Sequence, residues 1–141
     1  MLYILDTDHI SLLQRGNSSI IARLSLVAPS DRVTTVISLA EQFLGWWSEI
    51  TRADNEYAAA QAFRFLQDTL HFYDSVTVLP YDAHAVLEFQ RLRRARIRIG
   101  TQDLRIASIA LSRKAAVITR NLRDFKQVPD LMVMDWSLPA V

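Results

Sequence analysis

Four acidic side chains fall where an α/β protein places its chemistry. Asp6 closes the apolar run Leu2-Tyr3-Ile4-Leu5, and Glu41 lies a turn into a helical pattern that follows Val33-Thr34-Thr35-Val36. Asp103 stands just past Gly100-Thr101, where another helical pattern begins, and Asp124 follows Ala115-Ala116-Val117-Ile118-Thr119. Strand ends and helix starts line the ligand crevice of open α/β sheets. Acids that converge there from distant parts of a chain need a cation between them, because like charges resist joint ionisation. The chain has no cysteine, and His9, His71 and His84 are scattered, so a zinc set is missing. An all-oxygen donor set points to a hard divalent ion, Mg²⁺ or Mn²⁺.

Each of these residues also has an ordinary role open to it. Asp6 and Thr7 are able to cap the helix that follows. Ser38-Leu39-Ala40-Glu41 reads as a capping box, with Glu41 bonding back to the cap. Asp103 is an acid in the first turn after Thr101, which reads as a cap itself. Asn121 caps a short helix that Asp124 completes, or either side chain supplies oxygen to the metal. The Thr119 hydroxyl is placed to orient a ligand or a water. Asp8 reads as a cap or a supporting contact, His9 as a packing or surface residue, and Phe125 as the anchor of its loop.

The run Arg91-Leu92-Arg93-Arg94-Ala95-Arg96-Ile97-Arg98 leads directly to Asp103. Residues 91–126 carry nine Arg and two Lys against Asp103 and Asp124, a net +9, while the rest of the chain is −8 and the total only +1. Guanidinium groups bind phosphate in bidentate fashion. Arg98, Arg105 and Arg120 are therefore candidate substrate contacts, with Thr7 and Thr119 beside them. A carboxylate–metal centre flanked by Arg is suited to phosphodiester hydrolysis: the metal activates water, and Arg holds the neighbouring phosphates. The plainer account is a solvated helix face, which Arg91, Arg94 and Arg98 share if helicity persists that far. Trp46 and Trp47 are adjacent and point apart, one to the core and one to an interface.

The elements that must position these groups alternate. Leu2–Leu5, Val33–Val36, Ser75–Leu79, Ala115–Thr119 and Leu131–Met134 read as strands. Helical patterns cover 8–14, 20–27, 38–50, 53–73, 82 to the Arg run, and 101–112. Strands alternating with helices imply a mostly parallel sheet covered on both faces, a three-layer α/β/α sandwich. The chain's 141 residues, half of them apolar, fit one domain spanning 1–141. There is no long uncharged apolar run, no basic n-region before Asp6 and no disulfide framework, which points to a cytoplasmic protein without membrane contact. Neither a GxxxxGK[ST] loop nor a GxSxG elbow is present.

In this order the pieces resemble the PIN-domain ribonucleases, most closely the VapC-like toxins of toxin–antitoxin pairs. The resemblance rests on Tyr3-Ile4-Leu5-Asp6-Thr7-Asp8, Ser38-Leu39-Ala40-Glu41, Ile99-Gly100-Thr101-Gln102-Asp103-Leu104-Arg105-Ile106-Ala107 and Val117-Ile118-Thr119-Arg120-Asn121-Leu122-Arg123-Asp124-Phe125, with Val128–Trp136 closing the chain. It implies Mg²⁺- or Mn²⁺-dependent RNA cleavage, a cognate antitoxin and a homodimer. It also implies a protruding pair of helices that includes 53–73. Asp6, Glu41 and Asp103 match the three metal-site acids. Many PIN domains carry Asp where Asn121 stands; here Asp124 is the available substitute. Two other readings remain open. One is a non-catalytic PIN-like module that binds RNA or protein, its turnover lost through Asn121. The other is a haloacid-dehalogenase-type phosphatase, for which Ile4-Leu5-Asp6-Thr7-Asp8 fits but Lys114 and Lys126 sit in the wrong context.

Overall fold

The computed structural model describes residues 1–139. Five parallel strands form one sheet in the order β3-β2-β1-β4-β5: β1 Tyr3–Leu5, β2 Arg32–Thr35, β3 Thr77–Leu79, β4 Ala116–Ile118 and β5 Val133–Met134. β1 pairs with β2 on one side and β4 on the other, with Ile4 opposite Val33 and Val117. The chain thus builds outward from β1 to β3, then returns to start the other wing at β4. That reversal opens a crevice at the carboxyl ends of β1 and β4, where such sheets bind their ligands.

Among the described residues, seven α-helices cover the sheet: α1 Thr7–Gln14, α2 Ser18–Ser25, α3 Val36–Thr51, α4 Glu56–Asp74, α5 Ala83–Arg94, α6 Thr101–Arg113 and α7 Leu122–Phe125. Successive strand residues face opposite ways, so each short strand feeds two cores. Ile4, Val33 and Val117 join Leu92, Leu104, Ile106 and Phe125 on one face. Leu5, Ala116 and Ile118 join Ile10, Ile20, Leu24 and Tyr73 on the other. This is the expected α/β/α sandwich, and the continuous apolar reading of the strands follows from burial on both sides.

The boundaries depart from the sequence reading in three instructive places. β2 runs directly into α3, so Thr35, extended at φ −125° and ψ 158°, is the N-cap, its hydroxyl accepting the Ser38 N–H at 3.2 Å. The Ser38–Glu41 capping box therefore does not form, because Ser38 is already inside the helix. α6 starts from Gly100 with no side-chain cap bond, and Thr101 is its first helical residue rather than its cap. Helix α5, capped as expected by Asp82 onto the Ala85 N–H at 3.0 Å, ends at Arg94, and Arg96 turns the chain at φ 60°. Arg98 consequently lies off the helix, and no shared face with Arg91 and Arg94 exists.

Candidate active site

β1 ends at Leu5, and Asp6 follows as the N-cap of α1. Its backbone N–H is still paired with the Ile118 carbonyl of β4 at 2.9 Å, so sheet pairing sets the position of the carboxylate. Asp6 is 6 % exposed. One oxygen accepts the Thr7 N–H and the other the Thr119 hydroxyl, each at 2.8 Å. Burial, the Asp8 charge and, more weakly, Asp103 push its pKa up to about 7 against the two lowering hydrogen bonds. Capping and a strongly perturbed carboxyl thus coexist in one side chain.

Glu41 reaches the same edge from the second turn of α3. Freed from the capping box, its Oε1 accepts the Thr7 hydroxyl at 3.2 Å. Burial raises its pKa, and Asp103 raises it further. Asp103 arrives from the first turn of α6, brought against the sheet by a helix whose Ala107 and Ala110 are fully buried. Its pKa is raised by burial and by the Asp124 and Asp8 charges, while the Asn121 amide lowers it. That amide donates to Asp103 at 2.9 Å and to Asp124 at 3.1 Å. Asn121 occupies the position before α7 but makes no side-chain cap bond; its NH₂ donates between the two carboxylates instead.

The loop after β4 ties the two acid pairs together. The Thr119 hydroxyl, which donates to Asp6, accepts the Asn121 N–H at 3.0 Å, and the Arg120 N–H donates to Asp8 at 3.0 Å. Asp8 is therefore more deeply involved than its sequence position indicates. The one sequence signal for it is its place two residues beyond Asp6, on the first turn of the same helix.

The Arg candidates are distributed differently. The Arg105 guanidinium lies 6.0 Å from the Tyr81 ring centroid and 5.9 Å from that of Phe89, and bonds Gln102 at 3.1 Å. Arg98 and Arg120 are exposed. Thr7 and Thr119 stand within the acid cluster. Trp46 is half-buried outside both cores rather than in one: it stacks on Phe65 with centroids 5.1 Å apart and donates to Thr69 at 2.9 Å, while Trp47 is exposed as expected. His9 is fully buried, consistent with packing, and Phe125 anchors its loop in the core.

These acids perturb one another without forming a finished cage. Among the described residues, no three His, Asp or Glu side chains already stand in a metal-holding arrangement. Protein donors occupy the oxygens instead: Thr7 and Thr119 on Asp6, Thr7 on Glu41, Asn121 on Asp103. The donor set nonetheless suits a hard cation, being all oxygen, with Asp6, Glu41 and Asp103 held above their ordinary pKa by burial and neighbouring acids. A cation removes both penalties. A cleft of about 500 Å³ elsewhere, lined by Leu13, Ile21, Leu24 and Phe72 among others, contains no acid. No described helix is long and apolar enough to cross a membrane.

Comparison with known proteins places the fold in a family. Residues 3–131 match the PIN domain family. Ribonuclease VapC1 of Haemophilus influenzae is 32 % identical over 143 residues, covering 97 % of this chain and 99 % of the relative. The tRNA(fMet)-specific endonuclease VapC of Salmonella typhimurium is 33 % identical over 96 residues, 63 % of this chain and 73 % of the relative. Among solved structures, VapBC-1 from nontypeable Haemophilus influenzae superposes with a TM-score of 0.78 at 30 % identity, covering 98 % of this chain and all of the other.

Proposed function

The chain belongs to the PIN-domain family and, within it, to the VapC ribonucleases, which are metal-dependent nucleases; from that premise we propose that it is an endoribonuclease toxin acting in the cytoplasm, with residues 1–141 as one nuclease domain. The observation that carries the reading is the meeting of Asp6, Glu41 and Asp103 at one sheet edge, each with its pKa raised by burial and at least one neighbouring acid. Asp6 and Asp103 are the principal ligands for Mg²⁺ or Mn²⁺. Glu41 assists or orients the attacking water, and the carbonyl oxygen of Asn121 or the carboxylate of Asp124 completes the set. When bound there, such a cation would activate a water and stabilise charge on the scissile phosphate. Thr7 and Thr119 steady the acids, and Arg98, Arg105 and Arg120 hold the RNA backbone.

The relatives' assembly suggests the partners. The Haemophilus structure is a VapBC complex. We assign this chain a cognate antitoxin and a homodimeric state, both served by the exposed apolar strip of Val36, Phe43, Leu44, Trp47 and Leu70 on α3 and α4.

The test is Asp103→Ala, assayed with Mn²⁺ on tRNA and on an unstructured RNA oligonucleotide. The variant is expected to keep its circular dichroism spectrum and lose metal-stimulated cleavage. Undiminished cleavage by the folded variant would overturn the assignment.

A further inference from the structure

We propose that His9 is a positioning residue of this centre: a buried neutral imidazole that holds the Asp8 carboxylate against the Thr119–Asn121 loop and ties that loop to the end of the last strand. The inference rests on the nuclease reading for its effect on rate. Its structural half stands independently.

His9 is fully buried, yet both ring nitrogens are engaged. Nδ1 lies 2.8 Å from Asp8 Oδ1, and Nε2 lies 3.0 Å from the backbone nitrogen of Trp136. A backbone N–H only donates, so Nε2 accepts, and the ring proton sits on Nδ1, aimed at Asp8. Asp135 Oδ1 also stands 3.4 Å from Nε2, but that oxygen accepts the N–H and hydroxyl of Ser137 at 2.8 and 2.6 Å. The ring thus joins β5's exit to the first turn of α1.

Asp8 passes the constraint on. Its other oxygen accepts the Arg120 N–H at 3.0 Å and lies 3.4 Å from the Thr119 hydroxyl. The next N–H, of Asn121, goes to Thr119 Oγ1, whose own proton goes to Asp6. Two consecutive peptide groups are therefore pinned immediately before the amide that separates Asp103 from Asp124. A carboxylate's terminal torsion is broad and soft. Without the His9 proton, Asp8 rotates freely and the Arg120 N–H loses a fixed acceptor. Outer partners of this kind change metal affinity or activity when removed.

Two half-mimics separate the roles. In His9→Asn the amide nitrogen stands near the Nδ1 position and still donates to Asp8, while nothing reaches Trp136. In His9→Gln the side-chain oxygen reaches toward Trp136, and the donor to Asp8 is gone. His9→Gln is expected to lose amide-exchange protection at Arg120 and to fall by about 10- to 100-fold in Mn²⁺ affinity or Mn²⁺-dependent rate. His9→Asn is expected to keep that protection and a rate near the native one, while having the lower Tm of the two. A purely structural His9 gives the opposite result, with rate following Tm across both variants, and that result overturns the proposal. So does unchanged Arg120 protection in His9→Gln, or a ring ¹⁵N spectrum showing Nε2 protonated. If His9→Gln does not fold, Asp8→Ala, altered at a partly exposed side chain, must show the same loss at Arg120. A native chain that cleaves no RNA with Mn²⁺ removes the nuclease reading, and the exchange data then decide the positioning role alone.

Discussion

The two charged regions of this molecule obey opposite rules. At the carboxylate edge, like charges are buried or half-buried, few in number and each tied by specific donors. Along the end of α5 and the turn to α6, like charges are numerous, exposed and mostly unpaired. Among the described residues, the Arg–carboxylate pairs are Arg91 with Glu88 at 2.7 Å and Arg113 with Asp82 at 3.3 Å. Crowding costs little when water solvates each guanidinium, and surface pairs contribute little in return. Crowding of half-buried carboxylates is costly and persists only where the surrounding fold holds it, which is why perturbed acids mark function. The basic run is therefore a diffuse positive field of solvated charges, and the acidic edge is where each charge has a fixed partner.

The contrast breaks most sharply at Asp6. Asp6→Asn is expected to lower Mn²⁺-dependent cleavage by about 10²–10³-fold, the usual scale for removing one electrostatic partner of a transition state. Cleavage assays beside circular dichroism check this. A next step in size is Asn121→Asp. Replacing the bridging amide with a third carboxylate is expected to raise Mn²⁺ affinity about tenfold or more. It is also expected to cost the metal-free protein roughly 1–3 kcal/mol, because Asp103 and Asp124 lose their shared donor. Titration by electron paramagnetic resonance and thermal melts with and without metal measure the two effects.

Titration of Asp6 sharpens the comparison further. Its native pKa is raised to about 7 from an ordinary 3.8, so between these values the folded chain holds a proton that the unfolded chain has lost. This contribution to stability is full below about pH 4 and is lost as pH rises through about 7, with a slope of at most about 1.4 kcal/mol per pH unit. Metal-free melts of the native chain are expected to show the loss, and Asp6→Asn melts are expected to lack it. Divalent ions are expected to reverse the trend, because they bind the ionised form. The smallest effects belong to the basic run. Arg94→Ala is expected to weaken RNA binding slightly, to flatten its log–log salt dependence by about 0.7 per lost phosphate contact, and to leave Tm unchanged. Binding isotherms at several salt concentrations test this.

Much of the site was legible because its information is local. Asp6 and Asn121 stand directly beside elements with clear patterns, apolar runs bounded by polar residues, and Asp103 lies in the first turn of an alanine-containing helix that Gly100 precedes. The misread features are those that depend on how one element continues into the next. Thr35 displaces Ser38 as cap because β2 enters α3 without a loop, which moves Glu41 into the second turn and onto Thr7. The Arg run breaks at Arg96 because the chain must reverse to lay α6 beside α5.

By itself the sequence determined which residue types were available and in what order: an all-oxygen donor set without cysteine, five strands alternating with helices, and a basic segment leading into an acid. Residue type and periodicity are properties of neighbours along the chain, so they are readable there. Only the tertiary structure decided that Asn121 stands between Asp103 and Asp124, that Asp8 holds the loop after β4, and that His9 joins Asp8 to Trp136 across 127 residues. Those contacts are set by sheet register and helix packing. These arise from the whole buried core at once, and no local pattern encodes them.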